Sequence, residues 1–320
     1  LSGEITTMRG GTVAALKGGD IKTLNGGNVT AMSGGKINDM LLGNITNMTN
    51  GTITNISGGL IDAMSNGLIT NFNGGLLTAM SGGNITIMRN GEIAGLSGGT
   101  VATLRDTGKI TSLSGTGKIN SMIGGDVIGM TGGEIVAMSN GTVTTMDNGK
   151  ITTVTGGNVT NMNDGEITNL NGGIVTNLTG GDVKTIDGGT ITDMTGGLVT
   201  TLKTGEITTM NGGNVLSMIG GLIRDMTNGI VASFSNGEIR KLNGGTVTSM
   251  TGGNITNMVT GEVTTMTNGV IASLNGGDVK TLNGGRITAM SGGKVTDMLS
   301  GEITTMTDGT VAALKGGDIK

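Results

Sequence analysis
Apolar positions recur along this chain every eight residues, in a fixed relation to glycine. With positions lettered a to h, each octad reads Gly, variable, Ile or Val, variable, small, Met or Leu, variable, and then usually Gly or Asn. Gly19-Asp20-Ile21-Lys22-Thr23-Leu24-Asn25-Gly26 is one such unit. The forty units open on glycines from Gly3 to Gly317, and only Gly99–Thr107 and Gly108–Thr116 run to nine residues. Position c is Ile or Val everywhere except at Leu77. Position f holds all 22 Met residues and both Phe residues, Phe72 and Phe234, with Leu, Ile56, Ile186 and Val154 in the remaining units. Position e is small or polar, and b, d and g carry nearly all the charges. Inside and outside are separated within eight residues.

A helix is a poor host for this pattern. Adjacent glycines would cost about 1 kcal/mol each there, and Ile, Val and Thr are weak helix formers. A short strand across b, c and d suits the β-branched residues, with c inward and its neighbours outward. The h-a pair, Gly-Gly or Asn-Gly in most units, then supplies the positive φ of a tight bend. A strand and a bend repeated without change predict an all-β chain, a parallel β-helix or β-solenoid of stacked coils around one narrow core. Residues 1–320 read as a single continuous array. Positions c and f are three apart, so strict alternation would place them on opposite faces. A bend near d and e brings both inward; the alternative is that f meets a partner chain.

The Ile/Val choice at c carries a second period. It alternates strictly from Val183 to Ile319, although residues 245–280 resemble 285–320 at an offset of five octads, which would copy Ile onto Ile. The pairs are flipped instead, as at Val247 and Ile287 or Ile255 and Val295. A two-octad coil of 16 residues, one larger and one smaller residue meeting across the core, would maintain that alternation. A three-octad coil that stacks Ile on Val is the other solution. With two octads per coil the strand spacing gives a rod of about 95 Å. The nine-residue units read as local bulges or longer bends. Residues 1–22 nearly repeat as 299–320 without distinct capping units, as expected for a window on a longer array.

Composition narrows the chemistry. The chain has no His, Cys, Pro, Trp or Tyr, and its formal net charge is −4. Ser-His and Cys-His nucleophiles and imidazole metal sites are therefore absent. No basic face invites nucleic acid, and no apolar run has the length of a membrane span. The acids stand mostly at b, as Glu4, Asp20, Glu92, Asp126, Glu134, Asp182 and Glu302 do, and read as a solvated outer surface. Aspartate enters the turns only sporadically, at Asp106, Asp164, Asp187 and Asp308, unlike the regular aspartates of calcium-binding nonapeptide coils. Threonine rows at d hint at an ice- or ligand-binding face, but Lys22, Lys184, Lys280, Arg224 and Arg240 interrupt them. Asp at b and Lys at d share a face in the Gly-Asp-(Ile/Val)-Lys units and read as surface ion pairs. Asparagines at e form candidate ladders, Asn47-Asn55-Asn71 and Asn161-Asn169-Asn177. The methionines read as core filler rather than copper ligands. No catalytic, cofactor-binding or metal residue is assigned.

The array as a whole resembles repetitive β-solenoid fibre proteins, the shafts of bacterial surface filaments and viral tail fibres. That resemblance implies a structural, non-enzymatic protein outside the cell or on a cell or virion surface. Its expected partner is itself, through end-to-end stacking or the Met/Leu face. The alternative it implies is a trimeric host-binding or adhesin stalk, with a surface glycan or host receptor engaged by domains outside this sequence.

Overall fold
The computed structural model describes residues 3–320 and is all-β, with 83% strand and no helix. Parallel strands stack in coils of about 16 residues, forming a β-solenoid of about 20 turns. The coils group into two compact units, Leu1–Thr160 and Asn161–Lys320.

Register settles the coil length in each unit. In the first, Ile5 pairs with Ile21 and Met8 with Leu24, while Val13 pairs with Val29 and Leu16 with Met32. In the second, Val263 pairs with Val279 and Met266 with Leu282, while Ile255 pairs with Ile271 and Met258 with Leu274. Each offset is two octads. The three-octad coil is thereby excluded.

The strands are longer than the b-c-d segment expected from the sequence. They run from b to f, as in Glu166–Leu170, or continue through several corners, as in Leu198–Met250. The ladder pairs b, c, e and f with their counterparts and skips d, so the chain bends where c and f would otherwise diverge. From Leu16 to Ile303 every c and f side chain is buried to an exposure of 1% or less. Over that span the f row therefore faces the chain's own core, while Leu314 near the end of the sequence is 57% exposed.

Two-octad stacking converts the alternation at c into uniform columns. Val183 lies on Val199 and Val247 on Val263, while Ile191 lies on Ile207 and Ile239 on Ile255. Both columns change identity at one step, Ile167 to Val183 and Val175 to Ile191, so the coil keeps one Ile and one Val. A core at crystal-like density rewards that conservation of volume. No polar side chain is buried among the described residues.

Corner geometry explains the invariant glycine at a. Gly229 has φ +92°, and a Cβ there would lie 2.6 Å from the Gly213 carbonyl oxygen and 2.8 Å from Met210 Cε. The unbranched methionine reaches under the next coil's corner into space that a side chain would otherwise occupy. At h the obstacle is backbone alone: a Cβ on Gly220 would stand 2.0 Å from the Lys203 carbonyl oxygen. Hydrogen bonds on either side of the corner join successive coils, Thr190 N–H to Gly173 O at 3.0 Å and Thr251 N–H to Phe234 O at 2.9 Å being examples.

The nine-residue units are hydrogen-bonded turns. Gly108 N–H donates to Arg105 O at 3.1 Å and Gly117 N–H to Ser114 O at 3.0 Å. The extra residue in each turn is Asp106 or Gly115, both at φ 56°. Strand register absorbs the insertion, Thr100 pairing with Lys118 before the 16-residue offset resumes.

Two stability predictions arise from this core. Gly229→Ala should destabilise by about 1–2 kcal/mol from its left-handed backbone alone, read as a lower urea midpoint. Ile255→Val should cost about 0.5–1.5 kcal/mol and Val247→Ile about 1–3 kcal/mol. The double exchange, which restores the coil's volume, should cost less than their sum in a double-mutant cycle.

Candidate functional site
With c and f committed to the core, chemistry is confined to b, d, e, g and h. The most differentiated region of that surface lies beside the nine-residue turns, in the first unit. There Gly115, Thr116, Gly117, Lys118, Gly133 and Glu134 line a shallow depression of about 300 Å³. Lys118 Nζ lies 2.9 Å from Glu134 Oε2 at its rim. At the preceding turn Asp106 lies 3.4 Å from Arg105 and 3.8 Å from Arg89, and Thr107 Oγ1 donates to Asn90 Oδ1 at 3.0 Å. Glu92 accepts from Lys109 at 3.2 Å and from Thr111 at 2.9 Å. All these carboxylates are matched by cations or hydroxyls. The arrangement orders the turns and leaves no unpaired acid or base poised for proton transfer.

Elsewhere the charges follow a diagonal that the sequence spacing did not reveal. An acid at b meets a cation at d of the next coil, 18 residues on. Glu4 pairs with Lys22 at 2.7 Å, Glu262 with Lys280 at 3.0 Å and Glu302 with Lys320 at 2.9 Å. Arg224 donates two hydrogen bonds to Glu206, the Nη2–Oε2 distance being 2.9 Å. The pairing expected within one Gly-Asp-Val-Lys unit is present at Asp182 and Lys184, 2.8 Å apart.

These contacts shift ionisation in a consistent direction. Hydrogen bonding to Arg224 holds the Glu206 carboxyl below the ordinary carboxylate range. The Thr111 hydroxyl, with Lys109 beside it, does the same for Glu92, and Lys118 does so for Glu134. The Asp182 contact raises Lys184. All of these groups are solvated, so each contributes little.

The remaining sequence candidates fall into two classes. Thr176, Thr192 and Thr208 follow one another at 16-residue spacing on one face, and Arg224 and Arg240 continue the same row. The asparagine ladders are regrouped by the two-octad coil. Asn71 Nδ2 donates to Asn55 Oδ1 at 2.9 Å, and Asn55 Nδ2 to Asp39 Oδ1 at 2.8 Å, while Asn47 lies in the other column beside Ala63. Likewise Asn177 Nδ2 bonds Asn161 Oδ1 at 2.8 Å, and Asn169 pairs with Thr185. Consecutive octads occupy opposite sides of a coil, which is why the three-member groupings fail.

Glu4, Asp20, Asp126 and Glu302 are exposed or half-exposed and spread over different coils. Asp164 and Asp308 sit in corners, each accepting from the next glycine's N–H at 2.7 Å. Asp187 pairs with Lys203 at 2.9 Å. Among the described residues no three acidic groups converge on a point where a metal ion could sit, and no helix is long and apolar enough to cross a membrane.

Comparison with known proteins finds no matching family model, no matching curated protein and no matching solved structure.

The sign of the carboxylate shifts fixes a pH dependence. Because the folded-state values are lowered, the stabilisation is complete above the ordinary carboxylate range and is lost as pH falls through it. The urea midpoint should decline between about pH 5 and pH 3. In Arg224→Ala the Glu206 carboxyl should titrate closer to its ordinary value, as followed by carboxyl NMR. An unchanged Glu206 titration would remove the proposed cause.

Proposed function
We propose that this chain is a structural protein, the shaft of an extracellular filament or fibre that associates with copies of itself. The observation that supports this reading most is the uniform burial of c and f. Every interior coil closes its own core and presents mainly hydroxyl, amide and charged groups outward, with scattered exposed apolar side chains such as Leu42, Ile174 and Ile219. Such a chain gains stability coil by coil, because each repeat contributes its own core and a neighbour interface. Within each unit the parallel ladder resists bending, which is the property a shaft supplies.

Self-association by addition of coils is the mode this fold favours, since an unpaired strand edge is a template for another strand. The f side chains are already enclosed, so intertwining of three chains through that row has lost its apolar surface. A trimeric host-binding stalk would have to assemble through the outer faces instead.

The test is electron microscopy of the purified native chain, paired with mass measurement in solution. Filaments with an axial layer line near about 4.8 Å are the expected result. Discrete particles with the mass of three chains would favour the stalk. Monodisperse single chains across a wide concentration range would remove the self-association claim.

A further inference from the structure
The octad corner holds a reactive arrangement that its folding role does not require. At Asn50, Asn140, Asn148, Asn228, Asn236 and Asn268, all at h, the next glycine's N–H donates to the asparagine's own Oδ1 at 2.7–2.9 Å. The corner at Asn268 shows why. Thr267 N–H is taken by Met250 O at 2.9 Å and Val270 N–H by Gly253 O at 3.0 Å. Between them the Gly269 N–H turns to the Asn268 side chain at 2.9 Å. The contact holds the glycine nitrogen beside the asparagine's own amide group, and attack on Cγ needs an approach of roughly 3–3.5 Å.

We propose that these six asparagines are sites of spontaneous succinimide formation and deamidation. The glycine main-chain nitrogen, after losing its proton to base, attacks Cγ and forms the new C–N bond. The Cγ–Nδ2 bond breaks, and the amide nitrogen leaves as ammonia into the solvent at this exposed corner. Water then opens the five-membered imide at either carbonyl, giving aspartate or isoaspartate. No oxidant, reductant or cofactor enters the balance. Each event adds one negative charge to a chain whose formal net charge is −4.

The same chain carries its own controls. A second set of Asn-Gly pairs has asparagine at g and glycine at h, and there Oδ1 is engaged across coils. Thr227 Oγ1 donates to Asn211 Oδ1 at 2.9 Å, and Ser291 Oγ to Asn275 Oδ1 at 2.7 Å. The Gly276 N–H points to Met258 O at 3.3 Å, away from the Asn275 amide. Asp164 and Asp308 occupy h with the contact found at the six asparagines, so the corner already accepts the aspartyl product. Their ionised carboxylates are poor electrophiles and should stay unreactive.

The experiment incubates the folded chain at mildly alkaline pH and follows each Asn-Gly pair by peptide mass spectrometry, where NH is exchanged for O. The six h asparagines should convert on the order of tenfold faster than Asn211 and Asn275. In denaturant, where the coil geometry is gone, the two classes should converge. Equal rates in the folded chain, faster conversion at g, or conversion at h only after denaturation would overturn the proposal. Asn228→Asp tests the product separately: its thermal midpoint should match the parent, and a clear loss would contradict accommodation of aspartate at the corner.

Discussion
The structure depends on how closely successive corners can approach. At most a positions a Cβ on the glycine would meet a glycine carbonyl one coil below, in many of them with an f side chain such as Met210 reaching underneath, whereas Gly3 and Gly11 in the first coil have nothing within 4 Å. Where Gly229 stands above Gly213 and Met210, no Cβ fits. That contact sets the stacking distance at the corners, and the ladder bonds at b and g then form at 2.7–3.1 Å along both units. A larger residue at a would separate the coils at one edge and tilt the strands that bury c and f. Glycine here is a dimension of the fold as well as a source of backbone freedom.

The second constraint is volume. Each coil encloses only four large side chains, two from c and two from f, so a methylene has nowhere to go. From Ile119 onward, columns of Val beside columns of Ile, exchanging identity together between 167 and 191, hold that sum constant, whereas residues 37–93 carry Ile or Leu at every c. The f positions tolerate more variety because Met adapts to irregular space. Phe72 above Ile56 is the boldest case, and it remains 1% exposed.

The fold class was legible because the octad encodes it directly, and the coil length was narrowed to two solutions. Glycine spacing gives the corner, and the alternation at c favours two octads per turn over three, a choice that the 16-residue register then decides. Side-chain pairings were less legible, because they depend on which octads share a face. Asn47 and Asn55 are neighbours in the repeat yet belong to opposite columns, whereas Asn55 and Asn71 bond. The diagonal from b to d of the next coil, as in Glu206 and Arg224, needs the direction in which strands are offset, and no single octad contains it. The role of asparagine at h was visible only as a turn preference. Its bond to the following N–H emerges once the ladder has claimed the flanking amides.

The central claim is that residues 16 apart are neighbours in adjacent coils and residues 24 apart are not. The chain has no cysteine, so engineered pairs report this without background. Thr248 and Thr264 occupy d on one face of successive coils, and stacked parallel strands about 4.8 Å apart fall within disulfide reach. Under mild oxidation Thr248→Cys with Thr264→Cys should cross-link intramolecularly, and Thr248→Cys with Ala272→Cys should not. Cross-linking of the second pair without the first would contradict the two-octad coil.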